Sequence, residues 1–186
     1  LVPQPLFVMA DTAIVGQLGT VPLAGLGVGS TLTLALVGVF VFLAYGSTAT
    51  VARLVGANRE KDAAESGVQA MWLALVLGAA VGVVSWGFAP QLAAWLGADG
   101  AVHDQAVAYL RWSLPGLPGM FLVLAATGTL RGRADGRTPM ILAIGAAILN
   151  LVGDIVLVFG LGMGIAGSGA ATAFAETLMG LTAAGI

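Results

Sequence analysis

The feature that most constrains this chain is a series of long apolar stretches separated by short polar segments. Together the stretches fill most of the 186 residues. Because about 20 mostly apolar residues in a helix cross the hydrocarbon core of a bilayer, each stretch is long enough, or nearly so, to be a membrane span. We predict spans at about residues 1–18, 29–52, 67–89, 112–130, 138–159 and 168–186.

The composition excludes most soluble classes of protein. Hydrophobic residues make up 59% of the chain and charged residues 9%, whereas a soluble domain has about 25% charged residues. A soluble fold of this size cannot cover so much apolar surface. The net charge of -2 offers no basic face for nucleic acid, and the absence of cysteine excludes disulfides and thiolate metal sites. The sequence therefore predicts an all-α, multi-pass membrane protein.

The segments between the spans are predicted to be turns and loops, because they are rich in glycine or in charge. Pro115 and Pro118 are expected to bend or break the fourth span. The predicted connections are a glycine-rich turn at 19–27, a charged loop at 53–66, a loop with one or two short interfacial helices at 90–111, a charged loop at 131–137 and a glycine turn at 160–167.

The basic residues predict the orientation of the spans. Six of the seven lie in two loops, and each loop joins an even-numbered span to the next odd-numbered one. Both loops are therefore on one side of the membrane. Because positive residues stay in the cytoplasm, we predict a cytoplasmic N-terminus. The six residues are Arg53, Arg59, Lys61, Arg131, Arg133 and Arg137.

Three carboxylates fall inside the predicted spans, at Asp11, Asp154 and Glu176. A charge at the bilayer centre costs about 2.5–3.5 kcal/mol on insertion scales, so such residues are usually functional. A structural polar contact between helices is the alternative. At 1.5 Å per residue, Asp11, Asp154 and Thr172 come to similar depths, roughly 8–11 Å below the outer surface. A shared cavity requires this agreement in depth.

Two polar pairs have helical spacing. Asn150 and Asp154 are four residues apart and share one face of the fifth span, and Thr172 and Glu176 repeat the spacing in the sixth. An amide and a carboxylate one turn apart can hold a cation or share a proton. The pattern favours a device coupled to protons or sodium ions, while an ordinary hydrogen bond between helices is the alternative for each pair.

Weaker patterns are interpreted as structural. Three GxxxG pairs predict close helix packing, and four tryptophans near span ends predict anchors at the membrane interface. His103, the only histidine, is not expected to act in catalysis or metal binding. The glycine pairs are Gly25/Gly29, Gly78/Gly82 and Gly128/Gly132, and the tryptophans are Trp72, Trp86, Trp95 and Trp112.

Several motifs in combination resemble the multidrug and toxic compound extrusion (MATE) family. The family pattern includes a cytoplasmic loop, which LRGRADGRTP at 130–139 resembles, and a helix start, which GIAGSGAAT at 164–172 resembles. It also includes an asparagine–aspartate pair in the fifth helix, like Asn150 and Asp154 in ILNLVGD at 148–154. The segment PLFVMADTAIVGQLG at 5–19 resembles the first helix, and ARLVGA at 52–57 resembles the loop after the second. Asp11 together with Asn150 and Asp154 is most similar to the DNA-damage-inducible F branch.

The resemblance implies a six-helix transmembrane bundle that forms one lobe of a pseudo-symmetric 12-helix transporter. The chain, residues 1–186, would be the N-terminal lobe, truncated at both ends and inactive without the C-terminal lobe of the same polypeptide. The implied protein is not an enzyme and needs no cofactor. It is an antiporter of the bacterial inner membrane, which exports cationic or amphiphilic drugs and toxic compounds in exchange for H+ or Na+.

The resemblance also implies roles for individual residues. Asp11, Asn150, Asp154 and Thr172 match the cation-coupling site of that branch, where Na+ would bind only transiently and no metal would be held permanently. Glu176 is a candidate residue of the cavity lining. Pro5 is a candidate helix bend that would couple the conformational change.

Three other functions remain open. A flippase for lipid-linked carriers could use the same bundle, but its pyrophosphate cargo favours a basic cavity and the intramembrane charges are acidic. An intramembrane aspartyl protease would need a GxGD element, which is incomplete before Asp154 because residue 151 is leucine. A purely structural membrane subunit is the third. The acidic lining favours a small cationic substrate, with the lipid bilayer as the other partner and no nucleic acid.

Overall fold

The computed structural model describes the backbone of residues 3–186 and the side chains of residues 7–186, and the described part is helical with no strand. The nine α-helices of this part are α1 (Pro3–Val15), α2 (Thr20–Val39), α3 (Phe42–Gly56), α4 (Glu60–Gly87), α5 (Ala89–Trp95), α6 (Gly100–Ser113), α7 (Leu117–Gly132), α8 (Arg137–Asp154) and α9 (Ile165–Ala184). Two short 3-10 turns, Gly16–Leu18 and Leu114–Gly116, and a π-helical segment, Ile155–Gly160, extend these helices.

Helices form here because a segment in lipid must satisfy its own backbone hydrogen bonds. Four continuous or nearly continuous helical stretches are long and apolar enough to cross a membrane: Thr20–Gly56, Glu60–Gly87, Gly100–Gly132 and Arg137–Gly160. Phe7–Leu18 is apolar but shorter, and α9 has 20 residues with a larger share of small and polar ones. The all-α membrane class is confirmed, while the count of six crossings stays a prediction.

The surface of the molecule is apolar where a soluble protein would be polar. Val83, Ile141 and Phe174 are each more than 60% exposed. Exposed apolar area on this scale marks a surface that contacts lipid or another chain. Buried side chains instead surround α7, which packs against α3, α4 and α9, while α9 also contacts α6 and α8.

The three GxxxG pairs lie where helices touch, so the packing interpretation is confirmed. A Cβ atom added to Gly78 would lie 2.6 Å from Pro118 Cα, and one added to Gly25 would lie 2.5 Å from Gln105 Cβ. A Cβ atom added to Gly132 would lie 2.7 Å from the Cβ of Val51. No side chain fits at such distances, so these glycines bring α4 to α7, α2 to α6 and α3 to α7.

The predicted turn at residues 19–27 is wrong in its length. The chain turns at Gly19, whose φ of +119° favours glycine, and α2 already begins at Thr20. Pro22 lies in the first turn of α2, where a missing N–H is tolerated. Gly25 serves packing instead, and glycine content alone does not distinguish a turn from a close helix contact.

The predicted charged loop at residues 53–66 is also too long. Helix α3 continues to Gly56 and α4 begins at Glu60, so only residues 57–59 connect them. Glu60 and Asp62 lie in the first turn of α4, where acidic side chains complement the positive end of the helix. Charge therefore marks where the helix is expected to leave the bilayer and not where it ends.

The region predicted as a loop at 90–111 contains most of two helices. Helix α5 confirms one short helix, but α6 begins at Gly100, twelve residues before the predicted fourth span. The expected break near Pro115 and Pro118 is confirmed, because the turn Leu114–Gly116 separates α6 from α7. The connections predicted at 131–137 and 160–167 shorten to 133–136 and 161–164, and an unpredicted break at 40–41 separates α2 from α3.

Asp135 stabilises the start of α8. Its carboxylate accepts hydrogen bonds from the backbone N–H groups of Arg137 and Thr138, both at 3.0 Å. The Thr138 side chain and these backbone groups hold the pKa of Asp135 below its usual range. We expect Asp135→Ala to lower the melting temperature at pH 7, because two N–H groups of the first turn lose their acceptor.

The effect should depend on pH in one direction. Since folding lowers the pKa of Asp135, its contribution is complete above the unfolded value of about 3.9 and is lost as the pH falls through the folded value. Melting temperatures of wild type and Asp135→Ala, measured from pH 7 to pH 3, should therefore converge at low pH. Asp99→Ala, an exposed acid without a side-chain cap, is the matched control. A difference that persists unchanged at pH 3 would contradict this role.

Candidate functional site

Five polar side chains from three helices meet inside the protein, and we call them the carboxylate cluster. Asp11 comes from α1, Asn150 and Asp154 from α8, and Ser168 and Thr172 from α9. None is more than 5% exposed. The similar depths predicted for Asp11, Asp154 and Thr172 did not show that their helices are neighbours. In the structure, α1, α8 and α9 pack side by side.

The hydroxyl group of Thr172 joins the three helices. It accepts a hydrogen bond from Asn150 Nδ2 at 3.2 Å. It lies 3.2 Å from Asp11 Oδ2 and 3.0 Å from the Ser168 carbonyl oxygen, and can donate its single proton to either. Thr172 thus bridges the amide on α8 and the carboxylate on α1.

The Asp154 carboxyl adjoins Asp11 and Ser168. Neither of its oxygens accepts a hydrogen bond from a described residue, and the same holds for Asp11 Oδ1, Asn150 Oδ1 and Ser168 Oγ. Buried polar atoms are almost always paired, so a group of unpaired oxygens in one place needs an explanation. All of them are hard oxygen donors, and three of the five belong to the carboxylates of Asp11 and Asp154.

Local features of α8 and α9 bring these oxygens together. Gly153 lets the helices approach closely, because a Cβ added there would lie 3.0 Å from the Cβ of Ala171. Directly after Asp154 the helix widens into the π-helical segment, where Leu161 N–H bonds to Val156 O at 2.9 Å. Such segments recur at functional sites. Gly164, with φ of +57°, then allows the sharp reversal into α9.

Tyr109 on α6 is a site residue that the sequence analysis missed. It is buried, and with Asp11 and Thr172 it lines a small cavity of about 20 Å³, to which Ser30 and Thr33 of α2 also contribute. The polar residues at the start of α6 suggested a loop, which hid the helix that carries Tyr109. The available signal was the Gly25/Gly29 pair, which predicted a close helix contact without naming its partner. In the structure, the Tyr109 ring lies against Gly29.

Glu176 lies one helical turn beyond Thr172 on α9 and is 1% exposed. It lines the small cavity beside Asp11 and Thr172. It also lines a second cavity of about 560 Å³ between α3, α7, α8 and α9, which we call the large cavity. Glu176 therefore lies between the carboxylate cluster and the large cavity.

Pro5 falls in α1, but its side chain lies outside the described residues. The bend proposed there stays a prediction.

His103 lies near the protein surface, where its Nε2 is 3.0 Å from Pro90 O. That contact links α6 to α5 and is remote in sequence from the cluster.

The donor set of the cluster fits a small hard cation or a proton. Two carboxylates, an amide oxygen and two hydroxyl oxygens are ligand types that hard cations prefer. Two adjacent carboxylates away from water repel one another strongly, and a bound cation or proton relieves that repulsion. The residues present therefore fit a site that exchanges cations.

Comparisons with known proteins agree with this architecture. The MatE family model matches residues 2–156. DNA damage-inducible protein F of Escherichia coli is 34% identical over 173 residues, covering 92% of this chain and 38% of that protein. A probable multidrug resistance protein NorM of Thermotoga maritima is 28% identical, covering 91% of this chain and 37% of that protein.

A solved structure has the same fold. The crystal structure of MATE in the bent conformation superposes with a TM-score of 0.92 at 27% sequence identity. The match covers 98% of this chain and 41% of that one. The chain thus spans about two-fifths of the length of the proteins that it matches.

Proposed function

Because the chain belongs to the MatE family of multi-pass membrane transporters, we propose that it forms the N-terminal lobe of a cation-coupled exporter. The full transporter would expel cationic or amphiphilic drugs and toxic compounds in exchange for H+ or Na+. The lobe would carry the coupling site and would not transport without its C-terminal partner lobe. A bacterial inner membrane location with a cytoplasmic N-terminus is part of the proposal, supported by the six basic residues of the two charged loops.

The observation that carries the proposal is the carboxylate cluster. Asp11 and Asp154 adjoin inside an apolar bundle, and Thr172 connects Asp11 to Asn150. No basic side chain is among the described residues of the cluster. An acidic site out of contact with water attracts a cation and disfavours an anion.

Exchange at this site follows from charge balance. When Asp11 and Asp154 are ionised, the lobe attracts a cationic compound. When H+ or Na+ enters from outside, it neutralises the same carboxylates and removes the attraction. The compound and the coupling ion thus compete for one negative charge, which is the condition for antiport. Alternating exposure of the site would need both lobes.

Transport in everted membrane vesicles that contain the full-length transporter would test the proposal. A fluorescent cationic dye is added outside, and the vesicle lumen is made either acidic or rich in Na+. We expect dye accumulation that requires one of the two gradients and collapses when an ionophore removes it. Vesicles without the transporter give the background.

The outcomes separate the rival functions. Accumulation driven by one gradient identifies the coupling ion. No accumulation under either gradient contradicts the proposal and favours a lipid-linked carrier as cargo. That flippase alternative is not favoured at present, because the cluster is acidic and its cargo is anionic. A protease alternative finds no support in a match to a transporter family.

A further inference from the structure

Glu176 is the intramembrane carboxylate to which the proposed exchange assigns no task. It is 1% exposed, four residues and therefore about 6 Å along α9 from Thr172. Its side chain borders the small cavity that contains Asp11 and Thr172, and also the large cavity on its other side. Asp11 and Glu176 are the acidic residues that line either of these two cavities, and Glu176 is the acidic residue that lines both.

The large cavity extends from Glu176 towards the end of the bundle that holds Arg131 and Gly136. Arg131 lies in the last turn of α7 and Gly136 in the connection to α8, a charged segment that we predict to be cytoplasmic. Its volume of about 560 Å³ is many times the roughly 30 Å³ that one water molecule occupies. Thr48 and Thr127 add hydroxyl groups to a lining that is otherwise mostly apolar. A hydrated small cation fits this space.

The charged groups around Glu176 are acidic on the side of the carboxylate cluster and basic at the other end of the large cavity. Asp11 on α1 and Asp154 on α8 lie on the cluster side. Tyr109 on α6 interacts electrostatically with both of these carboxyl groups and with Glu176. Arg131 on α7 lies on the far side of the large cavity, and Tyr45 of α3 lines that cavity as well. A cation leaving the cluster therefore meets one more acidic group before it reaches the basic end.

We propose that Glu176 is a second cation-binding group, which passes the coupling ion from the carboxylate cluster into the large cavity. The inference rests on the proposed function and adds the route by which the ion reaches the cytoplasm. It explains why a carboxylate occupies a buried position where glutamine could make similar hydrogen bonds at a lower insertion cost. It also explains why the acid borders both cavities.

Two transport measurements on the full-length transporter in proteoliposomes distinguish this role from others. Gradient-driven dye uptake requires the ion to pass through the protein, whereas dye exchange without a gradient does not. With Glu176→Gln we expect uptake to fall at least tenfold and exchange to stay within twofold of wild type. Glu176→Asp, which keeps the charge, should recover part of the uptake. Glu65→Gln is the control for the same chemical change at an exposed acid.

A second variant tests the route without altering Glu176. Ala143 lines the large cavity, so Ala143→Met places a longer side chain in the path and should also slow uptake more than exchange. Gly145→Met, on the exposed side of the same helix, is its control. This pair keeps the test valid if Glu176→Gln fails to fold, as judged by its melting temperature and size-exclusion profile.

Three results would overturn the inference. Uptake at the wild-type rate in both Glu176→Gln and Ala143→Met would show that the ion does not use this route. Equal loss of uptake and exchange in folded variants would assign Glu176 to the binding of the dye instead. If wild type shows exchange but no gradient-driven uptake, the proposed coupling itself fails, and that result is distinct from the first two.

Discussion

Asp154→Asn is expected to reduce gradient-driven export by at least tenfold while the protein stays folded. The substitution keeps the shape of the side chain and removes its charge. Asp154 is fully buried beside Asp11, and neither of its oxygens accepts a hydrogen bond from a described residue. Little packing or hydrogen bonding is therefore lost, whereas the charge that would attract both the substrate and the coupling ion is halved.

The measurement is dye accumulation in everted vesicles under the gradient that drives the wild type. Asp99→Asn, at an exposed position between α5 and α6, is the matched control and should transport normally. The melting temperature of Asp154→Asn should not fall, since removing one of two adjacent buried like charges relieves their repulsion. Transport at the wild-type rate would instead move the coupling site to the other lobe.

Gly169→Leu is expected to unfold the lobe or to lower its stability severely. A Cβ added at Gly169 would lie 2.6 Å from Tyr109 O and 3.2 Å from Ser113 N. Both are backbone atoms of α6, which cannot move aside as a flexible side chain can. Overpacking a core usually lowers the free energy of unfolding by about 1–3 kcal/mol. We expect a loss at or above the upper end of this range, because the clash separates two helices.

The same substitution at Gly145 provides the control for Gly169→Leu. A Cβ atom at Gly145 would have nothing within 4 Å, so Gly145→Leu should leave the melting temperature and the size-exclusion profile unchanged. Gly169 lies between Ser168 and Thr172 on α9, and any stable fraction of Gly169→Leu should also have lost dye transport. A melting temperature within 2 °C of wild type would contradict the close-packing interpretation.

The sequence alone could predict the class of fold and four of the five residues of the cluster, all except Ser168. Hydropathy is a property of each segment and depends little on its neighbours, which is why the helical membrane class is confirmed. Charges inside apolar segments are costly wherever the segment packs, so Asp11, Asp154 and Glu176 could be selected without a structure. The spacing of Asn150 and Asp154 placed them on one face of a helix, because residues four apart share a face whatever the helix packs against.

Helix ends and the partners between helices could not be predicted in the same way. Gly25 looked like part of a turn, and its role became clear only when α6 was seen against it. Tyr109 was missed because polar residues near it suggested a loop, although those residues lie on a helix. Charge and glycine content each have two structural explanations, and only the neighbouring helix decides between them.

The sequence by itself determined that this chain is a bundle of apolar helices with three carboxylates in its interior. The tertiary structure decided which of those carboxylates meet. Asp11 and Thr172 are 161 residues apart in the chain and are joined by one hydrogen bond, and such a contact depends on how glycine-lined helix faces pack together. The position of Glu176 between two cavities has the same origin, because a cavity is a property of several helices and of no single segment.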